Sequence, residues 1–447
     1  MPKIGSIELS GGNMAGISRR DFLKRMAMGG MMMPLMSRNL FKLFNQQVIV
    51  VIVQDQYSTS GSNINQSIVQ IMIDEGIKEL TGIGNVGDAW KSVFPGINQS
   101  DVISIKINCI NSALPSHREV SEPIIEGLAQ MDFGGNSYIR NNVIVWDRSD
   151  GELTSSGYDI YTGSQQDRYR CFGTNHSGVG YDYGNPLNVN GVTEYPSNII
   201  SQYNRFLIDL ACLKTHSSAT ATLCLKNHFG SVHAPGNLPH SNGCDPYIPA
   251  LNAQIRDVLG DPQKIFIVDG LFGRCGNWGP GGNPDANQQL IVMSTDPVAT
   301  DYVAQERIND WRTSNGYAPI DAQHIHTAAG PPYNLGTDNP DEMDIRWIID
   351  PSVRVSEYEG DGVAILSVEP NPFRTKTDLR IGLKEATQAQ IILYNRLGQR
   401  SKKIYDGCLD RGEHRFSVNG QDLRSGIYFL HIRTPKRTLR RKLVISR

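Results

Sequence analysis

Six short runs along the chain are apolar almost throughout and rich in β-branched residues: 48–53, 102–107, 142–146, 206–210, 265–268 and 290–293. Runs of this length without polar alternation predict strands buried on both faces. Between several of them the period lengthens. Over 64–80 the apolar positions Ile64, Ile68, Ile71, Met72, Ile77 and Leu80 form a one-sided stripe, and 120–131 and 297–308 read similarly. Such stripes predict amphipathic helices. Strands alternating with helices predict an α/β fold, its mainly parallel sheet flanked by helices. From about residue 364 the texture changes to short alternating runs at 379–383, 390–394, 414–418, 427–433 and 442–445, broken by turn residues. That pattern predicts a small C-terminal β-sandwich. The expected organisation is a signal region over 1–40, an α/β domain over 45–360 and the sandwich over 365–447.

In a mainly parallel sheet, ligands bind beyond the carboxyl ends of the strands. Polar residues that follow a predicted strand are therefore the candidates. Lys106 and Asn108 end one strand, Asp147 the next; Lys214 and His216 follow a third, Asp269 a fourth and Asp296 a fifth. A single Asp at such a place commonly caps a helix, but five strand ends delivering Lys, Asp or His point to a site. The densest patch runs over 214–240 and adds Lys226, Asn227, His228, His233 and His240. Lys106, Lys214, His216 and Lys226 are the candidate catalytic residues, because a desolvated lysine loses proton affinity and can act as base or amine nucleophile. Asn108, Asn227, Asp147, Asp269 and Asp296 are the candidate substrate-binding residues. His216, His233 and His240 are candidate ligands for a divalent metal ion, although none stands at H-x-x-x-H or H-E-x-x-H spacing. His324 and His326 read as a loop pair. The alternative reading of the whole set is a closed ion-pair network that stiffens the sheet edge.

Composition changes this picture little. Lys+Arg is 43 against Asp+Glu 45, a net charge of -2, so no global field points to nucleic acid. Charged residues are 20% and hydrophobic residues 39%, ordinary for globular domains. The seven cysteines include no C-x-x-C pair, so no iron–sulfur cluster is expected, while export leaves room for a disulfide. No G-x-G-x-x-G follows a strand and no G-x-S-x-G elbow is present. The glycine-rich stretch 276–284 reads as a surface loop, a candidate lid.

Three resemblances add expectations. Ser18-Arg19-Arg20-Asp21-Phe22-Leu23-Lys24 resembles the twin-arginine export signal, followed by an uncharged run over 26–36 too short to span a bilayer. Met14 makes a more usual beginning for such a signal than Met1. Pro370-Asn371-Pro372-Phe373, Tyr394-Asn395-Arg396-Leu397-Gly398-Gln399, Leu423 to Leu430 and Lys442-Leu443-Val444-Ile445, in that order, resemble the type IX secretion C-terminal sorting domain. Lys106/Asn108, Leu213-Lys214-Thr215-His216, the segment Thr222 to Gly230, His240 and Ser294-Thr295-Asp296-Pro297-Val298-Ala299-Thr300-Asp301 resemble the family called domain of unknown function 362. Some relatives there carry an appended ferredoxin module, which this chain's cysteines do not match. The resemblances imply the twin-arginine translocase and the type IX machinery as partners, passage through the periplasm to the cell surface or medium, and no integral membrane segment. The expected function is an exported enzyme acting on a small anionic substrate, with or without metal assistance. The alternative is a non-catalytic surface binding or scaffold protein.

Overall fold

A computed structural model of the chain describes residues 47–276, 281–352, 363–383, 385–396, 399–435 and 438–446. The twin-arginine segment, the run after it and part of the glycine-rich stretch lie outside the described residues.

Nine strands form one large sheet. In chain order they are β1 (Val48–Gln54), β2 (Ile103–Lys106), β3 (Val143–Trp146), β4 (Arg170–Cys171), β5 (Phe206–His216), β6 (Thr220–Thr222), β7 (Gln263–Arg274), β8 (Ala286–Ser294) and β9 (Met343–Ile349). Their spatial order is β9-β1-β8-β7-β5-β2-β3-β4, with β6 turned back beside β5. The pairs β9/β1, β7/β5, β5/β2, β2/β3 and β3/β4 are parallel, whereas β8 runs antiparallel to both its neighbours. The mainly parallel α/β class read from the sequence is the observed one.

Helices on both faces explain the continuous apolar runs. Alternate residues of one strand serve opposite cores: Val50 and Ile52 face one, Val51 and Val53 the other. Likewise Ile144 and Trp146 separate from Val143 and Val145. The second core receives α1 (Gln66–Thr81) through Val69, Met72, Ile73 and Ile77, and α3 (Arg118–Ala129) through Val120, Ile124 and Leu128, with α2 (Val86–Ser92) beside them and α4 (Asp150–Ser155) after β3. The first core receives α6 (Tyr247–Val258) through Ile248, Leu251 and Ile255, α7 (Pro297–Ser314) through Val298, Val303 and Ile308, and α8 (Gln323–Ala329). The short α5 (Cys224–Asn227) follows β6. Alanine at Gly76 of α1 would put Cβ 2.6 Å from Met293 Cε, so the close approach of α1 to β8 leaves room for a side chain there only if Met293 moves.

The C-terminal part is a two-sheet sandwich. β10 (Val363–Glu369), β11 (Lys376–Leu383) and β14 (Gly412–Asn419) make one sheet; β12 (Thr387–Asn395), β13 (Arg400–Leu409), β15 (Gly426–Arg433) and β16 (Thr438–Ile445) make the other. Inward residues such as Leu379, Ile381, Ile391, Leu393, Leu430, Ile432 and Leu443 form its core.

One topological feature positions the site. From β2 the chain steps outward to β3 and β4, then returns to β5 on the opposite side of β2 and continues to β7. The direction of winding therefore reverses between β2 and β5. A crevice opens at such a switch point, beyond the carboxyl ends of both strands.

Candidate functional site

A cavity of about 430 Å³ lies at that crevice, and its walls include Lys106, Asn108, Asp147, Lys214, His216, Thr222, Lys226, Asn227 and His240. Side chains launched from β2, β3, β5, β6 and α5 thus meet around one hollow.

The three lysines differ in how they are satisfied. Lys106 Nζ donates to Asp147 Oδ1 at 2.8 Å, to the Ile107 carbonyl at 2.6 Å and to Asn227 Oδ1 at 3.2 Å. Three acceptors use its three protons. Asp147 is equally occupied, accepting from the Cys109 amide at 2.6 Å and the Arg148 amide at 2.8 Å. This pair is closed, as the ion-pair reading expected. Lys214 is fully buried and donates at 2.8 Å to Asn108 Oδ1, a neutral acceptor. Lys226 is 8% exposed, and its Nζ sits 3.5 Å from the centroid of the Phe229 ring. Among the described residues neither Lys214 nor Lys226 makes an ion pair with a carboxylate. Burial lowers the proton affinity of Lys226 from its ordinary 10.5 to about 8. An unpaired buried ammonium is costly, and an anion arriving in the cavity would relieve that cost.

Other donors face the same space. His216 Nδ1 accepts from the amides of Ser218 at 3.0 Å and Ala219 at 3.1 Å. The ring is therefore the Nε2–H tautomer, and burial, with Lys226 next, drops its pKa to about 4. It is a neutral donor. Thr222, paired across the hairpin with Lys214, is 5% exposed, and its hydroxyl has no hydrogen-bond partner among the described residues. His240 Nδ1 donates to the Leu238 carbonyl at 2.7 Å, because a carbonyl can only accept, which in the neutral ring leaves the lone pair on Nε2.

The floor is a web of amides. Asn108 Nδ2 donates to Asn227 Oδ1 at 3.2 Å, and Asn227 Nδ2 donates to Asp209 Oδ1 at 2.6 Å. Burial pushes the Asp209 carboxyl well above the carboxylate range. Burial likewise drops His228, 3.4 Å away, to about 3. Asp301 of α7 accepts from the Cys224 and Leu225 amides at 2.8 and 2.9 Å. It thereby fixes α5 and hence Lys226. Gly230 lies so close that a Cβ would stand 3.0 Å from Asp147 Oδ1 and 3.1 Å from Lys106 Nζ.

Several expected residues lie elsewhere. Asp269 is engaged by His117, whose Nδ1 lies 2.7 Å from Oδ2 and whose amide donates at 2.8 Å. Asp296 is the N-cap of α7, accepting from Ala299 and Thr337 amides. Neither lines the cavity. His233 is exposed and stacks edge-on with Tyr181 and Tyr183. The histidine triad proposed for metal is therefore not assembled. Among the described residues no group of three or more His, Cys, Asp or Glu is placed to hold a metal ion. His324 and His326 sit on α8 rather than a loop: His324 is buried with both ring nitrogens unpartnered, and His326 lies between Asp321 and Asp338 at 2.7 and 2.6 Å. All seven cysteines are free. Of the wall residues outside the candidate set, Thr222 carried a signal, since it opens the motif that ends at Gly230, whereas Arg148, Glu152, Ser217 and Ser218 carried none.

Residues 178–306 match the family model described as a domain of unknown function (DUF362), and residues 367–446 match the secretion system C-terminal sorting domain. The chain ends in a type IX sorting tail. It is exported to the cell surface or the extracellular space and engages the type IX secretion machinery. The DUF362 match takes in Lys214, His216, Thr222, Lys226, Asn227 and His240, but carries no assigned activity. No curated protein matches the chain. PorZ, a surface component of the type-IX secretion system of Porphyromonas gingivalis, is 19% identical over 22% of this chain and 13% of its own, with a TM-score of 0.15. A Thermotoga maritima protein is 9% identical, covering 58% of this chain and 61% of its own, with a TM-score of 0.33. The chain thus spans less than two thirds of either protein. Similarities this low say nothing further about function. Among the described residues no helix is long and apolar enough to cross a membrane.

Proposed function

We propose that this surface protein is an enzyme that holds a small anionic substrate in the switch-point cavity, with Lys214 as an anion clamp and Lys226 as the acid–base group. The observation that supports it most is that two buried lysines without carboxylate partners face one cavity. His216 Nε2–H and the Thr222 hydroxyl add neutral donors for oxyanion oxygens. Lys106, Asp147, Asn108 and Asn227 position the others, and the reading takes no metal, since His216 and His240 share the cavity but no third ligand joins them among the described residues.

The test is calorimetric titration of the purified full chain with sulfate, beside Lys214→Met and Lys226→Met. Saturable binding that weakens by roughly tenfold or more in each variant supports the reading. Equal binding in all three proteins, or none in any, removes it.

The scaffold reading is favoured by a specific observation too: Lys106–Asp147 and Arg148–Glu152 are closed pairs on the cavity wall. It predicts no ligand and no loss on changing Lys226. For the route, we propose twin-arginine export into the periplasm before type IX transfer, on the strength of Ser18 to Lys24. Arg19→Lys with Arg20→Lys should leave precursor in the cytoplasm; normal surface display of that variant would exclude the route.

A further inference from the structure

We propose that Lys226 is an imine-forming lysine, and that the cavity takes carboxylates bearing a neighbouring carbonyl group. This rests on the anion-site reading above and gives it a substrate class. The observation that carries it is the contrast between the cavity's lysines. Lys106 spends its protons on three acceptors and Lys214 is tied to Asn108. Lys106 also lies over an aromatic ring, 5.6 Å from the Trp146 centroid, but Lys226, 3.5 Å from the Phe229 centroid, is the one of the three with no acceptor among the described residues. An amine there is desolvated yet open to the hollow, which favours the neutral nucleophile. The chain on either side is fixed, by Asp301 on the amides of Cys224 and Leu225 and by Asn252 Nδ2 on the Leu225 carbonyl at 2.7 Å.

The remaining groups suit such a substrate. Lys214, with the Thr222 hydroxyl beside it on the hairpin, can take a carboxylate. His216 Nε2–H can polarise the carbonyl oxygen. The Lys226 lone pair then attacks the carbonyl carbon, forming a C–N bond as the C=O π bond breaks. The amine nitrogen loses a proton to His240 Nε2, the base on the cavity wall whose Nδ1–H is held by Leu238. The carbinolamine oxygen takes that proton back, accepts a second proton from solvent and leaves as water, and a protonated imine remains. Nothing is oxidised or reduced, and one water is released for each imine formed.

The experiment uses the full chain with pyruvate as the probe. Borohydride is added to reduce any imine, and the adduct is located by peptide mass mapping in wild type and Lys226→Arg, which keeps a cation in place. The expected result is one adduct, on Lys226, suppressed by sulfate and lowered by roughly tenfold or more in K226R. An adduct that persists in K226R or spreads over exposed lysines overturns the proposal. A parallel arm measures protection of Lys226 from acetic anhydride by sulfate. Protection without a borohydride adduct defeats the imine while the anion site stands. Neither protection nor adduct defeats both.

Discussion

Replacing Lys226 by Met should make the α/β domain more stable, not less. The ordinary lysine value of 10.5 falls to about 8 in the fold through burial. At about 1.4 kcal/mol per pH unit, holding the buried cation costs the folded state about 3 kcal/mol at neutral pH. Methionine keeps the stem against the Phe229 ring and removes the charge. The sign follows from proton counting. Below about 8 both folded and unfolded chains carry the proton, so the penalty is constant. Between about 8 and 10.5 the unfolded chain binds more protons than the folded one, so wild-type stability rises with pH and the penalty fades. K226M should therefore gain between about 1 and 3 kcal/mol at pH 7, a gap that narrows as pH rises above about 8. Urea unfolding followed by tryptophan fluorescence is the assay. All five tryptophans precede the sandwich, with Trp347 sharing a hollow with Ile365 and Val368 of it, so the signal reports chiefly the α/β domain. Saturating sulfate should raise the wild type by more than K226M. A K226M protein that is less stable at pH 7, or a gap independent of pH, would refute the premise that this ammonium lacks a counter-charge.

The other predictions concern the pair, the ligand and the tail. Asp147→Ala strands Lys106 and the Cys109 amide in the interior and should cost about 3–5 kcal/mol in urea unfolding; a loss under 1 kcal/mol would contradict the closed pair. Sulfate keeps one charge across the working range, so its affinity should be flat from about pH 5.5 to 7 and fall above about 8 as Lys226 deprotonates. His216, already neutral above about 4, should add no inflection. Removing residues 367–446 should abolish surface display, read by protease accessibility on intact cells, while the α/β domain stays folded.

Much of this architecture was legible because the parallel strands are covered on both faces, which leaves them apolar without alternation. The edge strand β9 escaped that reading. Its Ile345, Trp347 and Ile349 are exposed and its apolar residues are interrupted by Asp344 and Arg346. β5 ran six residues past its expected end, to His216, because the hairpin with β6 pairs Lys214 with Thr222. The convergence of Lys106, Asn108, Asp147 and Lys214 followed from the strand-end rule. Lys226 followed only from motif density, since it comes from α5. Asp269 and Asp296 failed for a reason the rule cannot see. A strand-end carboxylate serves a helix cap or a neighbouring histidine as readily as a ligand, and the partner is a tertiary fact. His233 failed similarly, because the chain past Gly230 turns its ring onto Tyr181 and Tyr183.

The most direct test of the central claim is an anomalous difference map from a crystal of the full chain soaked in selenate. A peak in the switch-point cavity, within hydrogen-bond reach of both Lys214 Nζ and Lys226 Nζ, is the predicted result. A cavity without a peak, or a carboxylate of the chain seated against Lys226 in its place, would contradict it.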